Sequence, residues 1–352
     1  MVNPNWCHLM TPTPSFPSST AQASAESKLR TRPSSVSFVV PVFNDQANIG
    51  RCLQSIRRQE MPWKIAELIV LDNGSTDGTH AVLSEMEIAF QVIERVHVSA
   101  LRNHGARMAQ GELLAFVDSD VELLPGWIEA CLSAFRDPTV VAAGCFPRVP
   151  PQATWVQRTW DLHQRRRQPK QPESVAWLPS MNLVVRRDAF WAVGGFNEQL
   201  ETAEDVDLCY RLSTMGTILC QPGMQAIHWG EASNLRVFWK KEVWRGLGNF
   251  QGLRAHGFRW DELPSLGYPL YMVCGMLALG IGSLWDLWHV YIRASLLGLG
   301  SLIVPAGLLA VKTAWSTGRL RSIGPLFLLY VTYGLARACA VIKAAVSGAR
   351  NS

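Results

Sequence analysis

The 352 residues carry 33 Lys and Arg against 28 Asp and Glu, a formal net charge of +5, with 48% hydrophobic residues. That length holds one large domain or two ordinary ones with a proper core, and so mild a positive excess argues against the basic face of a nucleic-acid binder. Acidic residues concentrate before Glu262, and beyond it Asp286 alone interrupts the tail. The eight cysteines show no CxxC pair or metal-finger spacing, which points to free thiols in a reducing compartment.

In chain order, residues 1–35 are rich in Pro, Ser, Thr and Ala with no continuous apolar run, so a flexible tail is expected there rather than a signal peptide. Val36 to Phe43 is a β-branched and aromatic run that reads as a buried strand. Asn44 and Asp45 then open a helix with Ile49, Leu53 and Ile56 at helical spacing. A second strand is predicted over Glu67–Asp72, then a turn at Asn73-Gly74-Ser75 and a helix that Thr76 or Asp77 can cap. Further strands are predicted at Phe90–Val96 and Leu113–Val117, with a helix over Arg102–Ala109 between them. The stretch Trp155–Pro172, with its run Arg165-Arg166-Arg167, reads as an exposed loop or helix. Ala176–Val185 reads as a strand, Gly194-Gly195 as a turn, and Glu204–Met215 as a helix burying Leu208 and Leu212. Strands alternating with helices imply an α/β domain built on a mostly parallel sheet with helices on both faces. Its ligands would bind beyond the carboxyl ends of the strands.

The last part of the chain has a different character. Gly267–Trp285, Ala294–Val311 and Ile323–Ile342 are apolar stretches near the ~20 residues that span a bilayer, the third interrupted by Arg337. Tyr268, Trp285, Trp288 and Tyr291 suit an interfacial belt. Residues 236–262 interleave Trp239, Trp244 and Trp260 with Lys240, Lys241, Arg245, Arg254 and Arg259, a pattern suited to a helix in the lipid headgroup layer or to a solvated helix face. Lys312, Arg319 and Arg321 share one loop, which by the positive-inside rule sets that loop and the soluble domain on the cytoplasmic side of the cell membrane. The expected organisation is a tail at 1–35, an α/β domain at 36–235, an amphipathic segment at 236–262 and two to three spans at 263–352.

The chemistry falls at the strand ends. Asp118-Ser119-Asp120 follows the strand Leu113–Val117 directly, and residues i and i+2 of an extended chain point the same way. Two carboxylates side by side repel unless a cation joins them or one is protonated, and an oxygen-rich site suits Mg²⁺ or Mn²⁺, which also bind phosphate oxygens.

Taken together, these motifs resemble family 2 glycosyltransferases of the GT-A fold, over roughly Ser35 to Asn249. Val39 to Asp45 resembles the family's opening strand and nucleotide-binding turn, and Leu71 to Thr79 its second signature. Arg102 to Glu112, leading to Asp118-Ser119-Asp120, resembles its donor-phosphate segment and DxD motif. Gly194 to Glu198 followed by Glu204-Asp205 resembles its acceptor-side motif. The resemblance implies that Pro41, Phe43 and Asp45 line the nucleotide pocket, that Asp72 binds the base, and that Arg102, Asn103 and Gly105 lie near the donor. It also implies that Asp118 contacts nucleotide and metal, that Asp120 is the main metal ligand with His228 completing the site, and that Asp205 is the catalytic base with Glu204 beside it. Many family members carry two acidic residues where this chain has Asp72-Asn73, which leaves the preferred base open.

The residues support such roles on their own chemistry. A departing diphosphate accumulates charge that a metal neutralises, and an acceptor hydroxyl needs a carboxylate to take its proton. One displacement inverts the anomeric centre. Plainer uses exist for the same residues: Glu204, Asp205 and Asp207 also complement a helix N-terminus, and His228 could be a satisfied core histidine. The function expected is sugar transfer from a nucleotide-sugar donor to a lipid-linked or polysaccharide acceptor at a membrane. The competing readings are a nucleotidyl or phosphoryl transferase, which lacks a GxxxxGK[ST] loop here, and a non-catalytic membrane scaffold.

Overall fold

The computed structural model describes residues 35–59, 64–165, 168–256, 263–287 and 294–350. The tail expected before Ser35 lies outside the described residues, as do Arg166, Arg167, Arg259, Trp260, Trp288 and Tyr291.

Strand β1 (Ser35–Val42) is buried from its second residue onward. Helix α1 (Ile49–Arg57) follows and buries Ile49, Cys52, Leu53 and Ile56 against one face of the sheet. Strand β2 (Lys64–Asp72) pairs parallel to β1, then come α2 (Thr79–Glu85), β3 (Phe90–Val92) and α3 (Val98–Met108). Helix α2 starts at Thr79 with Gly78 in the N-cap position, not Thr76 or Asp77. Asp77 instead takes the Thr79 N–H at 3.0 Å and the Gln46 N–H at 3.2 Å, tying the turns after β1 and β2 together. Strand β4 (Leu113–Val117) pairs parallel to β1 on its other side.

The next elements escaped the periodicity: β5 (Val121–Leu123), α4 (Trp127–Ala134) and β6 (Val140–Gly144). After α5 (Trp155–Arg165) and β7 (Glu173–Ser174), the strand expected over Ala176–Val185 is confined to β8 (Asn182–Arg186). That strand runs antiparallel to both β4 and β6. The sheet is completed by α6 (Arg187–Ala192), α7 (Glu204–Ser213) and β9 (Thr217–Cys220), while β10 (Ala226–His228) pairs with β5 in a separate ribbon. The order is β3-β2-β1-β4-β8-β6-β9-β7, a mixed, mostly parallel sheet.

Alternation along β1 splits the core. Phe38, Val40 and Val42 face α1 and α4, and Phe38 meets the buried Trp127 ring at 5.7 Å. Val39 faces α3, α6 and α7 with Leu71, Phe116 and Phe190. Fully burying each such side chain contributes about 1.5–3 kcal/mol. The seven described cysteines are free, and five of them are buried.

Three C-terminal helices follow α8 (Leu235–His256): α9 (Leu263–Asp286), α10 (Ala294–Ser316) and α11 (Ile323–Arg350). Gly267–Asp286, Ala294–Ser316 and Leu320–Val346 are long and apolar enough to cross a membrane, with mean hydropathies of 1.4, 2.0 and 1.6. The stretch expected to be exposed from Trp155 is in fact docked on them: Val156 and Trp160 of α5 pack with Phe238, Ala310 and Leu329. Helix α8 commits one face to the same contact, burying Phe238, Val243 and Glu242, while Lys240 and Trp244 stay exposed. Arg337, the charge that interrupts the third apolar stretch, is paired with Glu242 at 2.9 Å. Its cost in an apolar helix is thereby offset.

Gly105 illustrates how tightly the helices sit. A Cβ there would lie 2.5 Å from Val39 Cγ1 and 3.0 Å from Leu71 Cδ1. Gly105→Ala is therefore expected to cost about 1–3 kcal/mol of overpacking, read as a lowered Tm in thermal unfolding.

Candidate active site

The carboxyl ends of β1, β2 and β4 are laced together. Ser119 Oγ donates to Asp45 Oδ2 at 2.7 Å, and Asn44 Oδ1 accepts from Thr76 N at 2.7 Å. Asn44 holds a φ of +50° to do so, a left-handed conformation that asparagine tolerates. Burial raises the Asp45 pKa, with the Ser119 hydrogen bond opposing. Pro41 is buried and paired with Leu71, past the last residue of β1 that pairs with β4, so its missing N–H costs no ladder bond there. Phe43 is exposed, and the Arg95 guanidinium lies 5.4 Å from its ring centroid.

Asp72 lies beneath this surface, fully buried. Its Oδ2 accepts from Gly74 N at 3.0 Å, Ser75 N at 2.9 Å and His80 Nε2 at 2.9 Å. Burial pushes its pKa up, but the Ser75 and His80 hydrogen bonds more than offset this and the net shift is downward. Its Oδ1 is a buried acceptor without a partner. Asp72 thus shapes the turn and keeps one acceptor unspent.

Arg102, on α3, joins the two halves of the site. Its Nη2 donates to Asp118 Oδ1 at 2.6 Å and its Nη1 to Glu204 Oε1 at 2.8 Å. Burial opposes its charge, but Asp118 and then Glu204 more than offset that and raise its pKa. Asn103, one residue on, clamps the loop before α7: its Oδ1 accepts from Phe196 N at 2.9 Å and its Nδ2 donates to Phe196 O at 2.8 Å. Gly105 does not reach the strand-end surface; it is the packing glycine of α3.

The two carboxylates after β4 do not project as an extended pair. Residues 118–121 form a turn in which Val121 N donates to Asp118 O at 3.0 Å, so the side chains diverge. Asp118 goes to Arg102, and burial together with nearby Asp120 raises its pKa against the pull of that guanidinium. Asp120 Oδ2 instead meets His228 Nε2 at 3.2 Å. The β5–β10 ribbon makes this possible by setting His228 opposite Val121.

His228 is buried among charges rather than in an apolar core. Its Nδ1 lies 3.3 Å from Glu231 Oε2 while Nε2 faces Asp120. Burial disfavours its charge, but Asp120 and Glu231 outweigh it and push the pKa up to about 10. Glu231 is depressed to about 2: burial opposes this, and His228, Arg245 and Lys241 overcome it. Burial likewise opposes a net downward shift at Asp120, to which His228 and Lys241 contribute. At Gly230 a Cβ would collide with the Asp120 carboxylate, so this close approach needs glycine.

Among the described residues no group of three or more His, Cys, Asp and Glu side chains is arranged to hold a metal ion by itself. The donor set nevertheless fits a divalent cation. A carboxylate oxygen and an imidazole nitrogen face each other, and a second carboxylate holds the far ring nitrogen, the arrangement that orients metal-binding histidines. Mg²⁺-like ions take one or two protein ligands and complete their shell from substrate phosphates and water.

On the opposite side, α7 begins immediately after Ala203, whose φ is +62°. Its three acids are divided. Glu204 is spent on Arg102, with Ser180 Oγ at 3.3 Å, and Asp207 is spent on Arg211 at 2.5 Å. Asp205 Oδ1 accepts from its neighbour's backbone, Val206 N, at 2.8 Å. Burial, and after it the adjacent Glu204 charge, raise the Asp205 pKa to about 7.

Glu231 was not singled out by sequence. The available signal was an acid three residues beyond His228, which acquires meaning only once the β10 ribbon is known to face the β4 turn.

Residues 37–194 match the family model for glycosyl transferase family 2. Over 199 residues the chain is 33% identical to a pre-mycofactocin glycosyltransferase of Mycobacterium tuberculosis, covering 52% of this chain and 40% of that one. Over 219 residues it is 31% identical to a validoxylamine A glucosyltransferase of Streptomyces hygroscopicus, covering 51% and 52%. These matches span about half the length of the relatives or less. In fold, the chain is similar to a mannosyltransferase from Pyrobaculum calidifontis solved with GDP-Man and Mn²⁺. That likeness has a TM-score of 0.57 at 18% identity and covers 92% of each chain.

Arg102 is only 2% exposed and neutralises two carboxylates. Arg102→Met is expected to cost about 3–5 kcal/mol, because it strands buried charge. Urea unfolding of the variant against the parent chain measures this.

Proposed function

We propose that the chain transfers a sugar from a nucleotide-sugar donor to a hydroxyl of a lipid-linked or polysaccharide acceptor, with inversion and with Mg²⁺ or Mn²⁺. The observation that carries this reading is the division of the acidic pairs. Arg102 takes Asp118 from one pair and Glu204 from the other, which leaves Asp120 with His228 and leaves Asp205 available. The Pyrobaculum mannosyltransferase, with its bound GDP-Man and Mn²⁺, supports the donor and cation class.

Phe43, Asp45 and the Asn73–Ser75 turn offer the nucleotide an apolar face and polar edges. Asp72 supports that turn and has an acceptor left for a base N–H. Asp120 and His228 would hold the cation, with Asp118 alongside. A bound divalent ion supplies positive charge to the departing diphosphate. The acceptor hydroxyl oxygen forms a bond to the anomeric carbon as the bond to the diphosphate oxygen breaks, and Asp205 takes the hydroxyl proton. A base with pKa near 7 combines adequate basicity with an ionised fraction at neutral pH. Glu204, committed to Arg102, raises that pKa by its charge and acts as a positioning residue.

The three apolar helices would anchor the enzyme as a multi-pass protein of the cell membrane. Lys312, Arg319 and Arg321 favour a cytoplasmic catalytic domain. The exposed side of α8, with Lys240 and Trp244, would meet headgroups and keep the site beside a lipid-borne acceptor.

Two measurements test the assignment. Asp120→Asn should abolish most Mn²⁺-dependent gain in nucleotide affinity while leaving the fold intact, and His228→Ala should do so less severely. Unchanged nucleotide affinity across a Mn²⁺ titration would remove the cation from this edge.

Asp205→Asn should bind donor normally and transfer sugar about 10²–10⁴-fold more slowly, the usual worth of a positioned base. The parent rate should rise with pH through about 7, as the Asp205 carboxyl loses its proton. Glu204→Gln removes the neighbouring charge that raises the Asp205 pKa, so its acid limb should move to lower pH. A Glu204→Gln enzyme that is inactive beside an active Asp205→Asn enzyme would exchange the two roles.

A further inference from the structure

The charges around His228 do not end at Glu231. Arg245 of α8 lies 3.8 Å from Glu231 Oε2 and 2.7 Å from Glu242 Oε1. Glu242 is completely buried, and its other oxygen accepts from Arg337 of α11 at 2.9 Å and 3.1 Å. An unbroken series of ion pairs therefore runs Asp120–His228–Glu231–Arg245–Glu242–Arg337, from the edge of the sheet into the third apolar helix. Each buried member depends on its neighbours for compensation, since an unpaired charge there is costly.

Two further features show that the series is built into the fold. The α8–α11 seam is close because position 246 is glycine: a Cβ there would come within 2.6 Å of Ala340 Cβ and 3.1 Å of Arg337 Cδ. Arg337 is also a costly residue in an apolar helix. Glu242 already has Arg245. What Arg337 adds is a second cation, which lets Glu242 be satisfied without drawing Arg245 away from Glu231.

We propose that Glu231 is the positioning residue that fixes the His228 imidazole for cation binding, and that Arg337 of the C-terminal helix holds Glu231 in register through Glu242 and Arg245. The C-terminal bundle thus takes part in forming the catalytic site in addition to any anchoring role. This rests on the reading of Asp120 and His228 as cation ligands. Residues behind a metal-binding histidine typically contribute 10–100-fold to metal affinity. Loss of the direct neighbour should matter most, and loss of the distant anchor should matter less.

The sign of the effect at Arg337 separates positioning from plain electrostatics. Removing a positive charge near a cation site strengthens cation binding by Coulomb's law alone. Removing a positioning anchor weakens it.

The test uses the full chain in detergent micelles and follows free Mn²⁺ by electron paramagnetic resonance, with and without UDP or GDP. Glu231→Ala should weaken Mn²⁺ binding about 10–100-fold. Arg337→Met should weaken it by roughly 3–10-fold, less than its nearer partner, and Arg337→Lys should recover most of the loss. Val243→Ala, an apolar change in the same seam, should lower the Tm and leave Mn²⁺ affinity alone. If Arg337→Met binds Mn²⁺ as well as or better than the parent, the anchoring role is overturned. It is equally overturned if Val243→Ala weakens Mn²⁺ by the same factor, because helix docking would then be the whole effect. Asp120→Asn distinguishes the two levels. If it abolishes binding while Glu231→Ala and Arg337→Met both bind Mn²⁺ like the parent, this inference alone falls; if it titrates like the parent, the cation-site reading falls and takes the inference with it.

Discussion

The site depends on one guanidinium. Arg102 is buried between Asp118 and Glu204, residues that belong to motifs far apart in sequence and to opposite sides of the strand-end surface. Without it, four carboxylates would crowd a region of low dielectric, and repulsion would protonate some of them or push the motifs apart. With it, each acidic pair is split into a member that Arg102 neutralises and a member that it leaves to other partners. A monovalent point charge on a flexible stem would not hold this geometry, because the planar fork addresses two acids with separate N–H groups. Asn103 strengthens the same construction by fastening the Phe196 backbone to α3.

Much of this architecture was legible in the residues. The buried strands β1, β2 and β4 announce themselves by uninterrupted apolar runs, and the polar clusters that follow them sit where a parallel sheet binds ligands. Three apolar helices at the C-terminus were equally plain from length and composition. The illegible parts share a cause: they depend on contacts between segments remote in sequence. Strand β8 reads like any other apolar run, and nothing local says that it enters antiparallel between β4 and β6. The stretch from Trp155 is polar enough to pass for an exposed helix until Val156 and Trp160 are seen against the C-terminal bundle. The i, i+2 rule placed Asp118 and Asp120 together only on the assumption of an extended chain, and the turn at residues 118–121 removes that assumption.

The same distinction applies to His228. On sequence it is a lone histidine between Ile227 and Trp229, and a core role is a fair reading. Its burial agrees with that role, but its neighbours do not: a histidine that packs as a hydrophobe has no use for a carboxylate at each ring nitrogen. Burial alone therefore does not discriminate between the roles. The identity of the groups that meet the two nitrogens does, because it determines whether the ring is held neutral by a carbonyl or kept ready to share a cation.

Helix α8 unites the two halves of the molecule, and its sequence pattern reflects two tasks. Phe238, Val243 and Glu242 turn inward, whereas Lys240 and Trp244 remain exposed. A helix serving only a headgroup layer would have no reason to bury a carboxylate, and a helix serving only as a linker would have no reason to approach α11 through Gly246. Burying Glu242 between Arg245 and Arg337 favours one helix-to-helix register, since slippage by a turn would strand three charges in an apolar seam. Apolar contacts such as Val243 with Ala336 and Ala340 fill the rest of that seam but discriminate poorly between registers. The ion pairs therefore supply directional definition where packing supplies most of the area. That definition is transmitted toward Glu231 because Arg245 is shared, which is why a charge placed in an apolar helix bears on chemistry at the edge of the sheet.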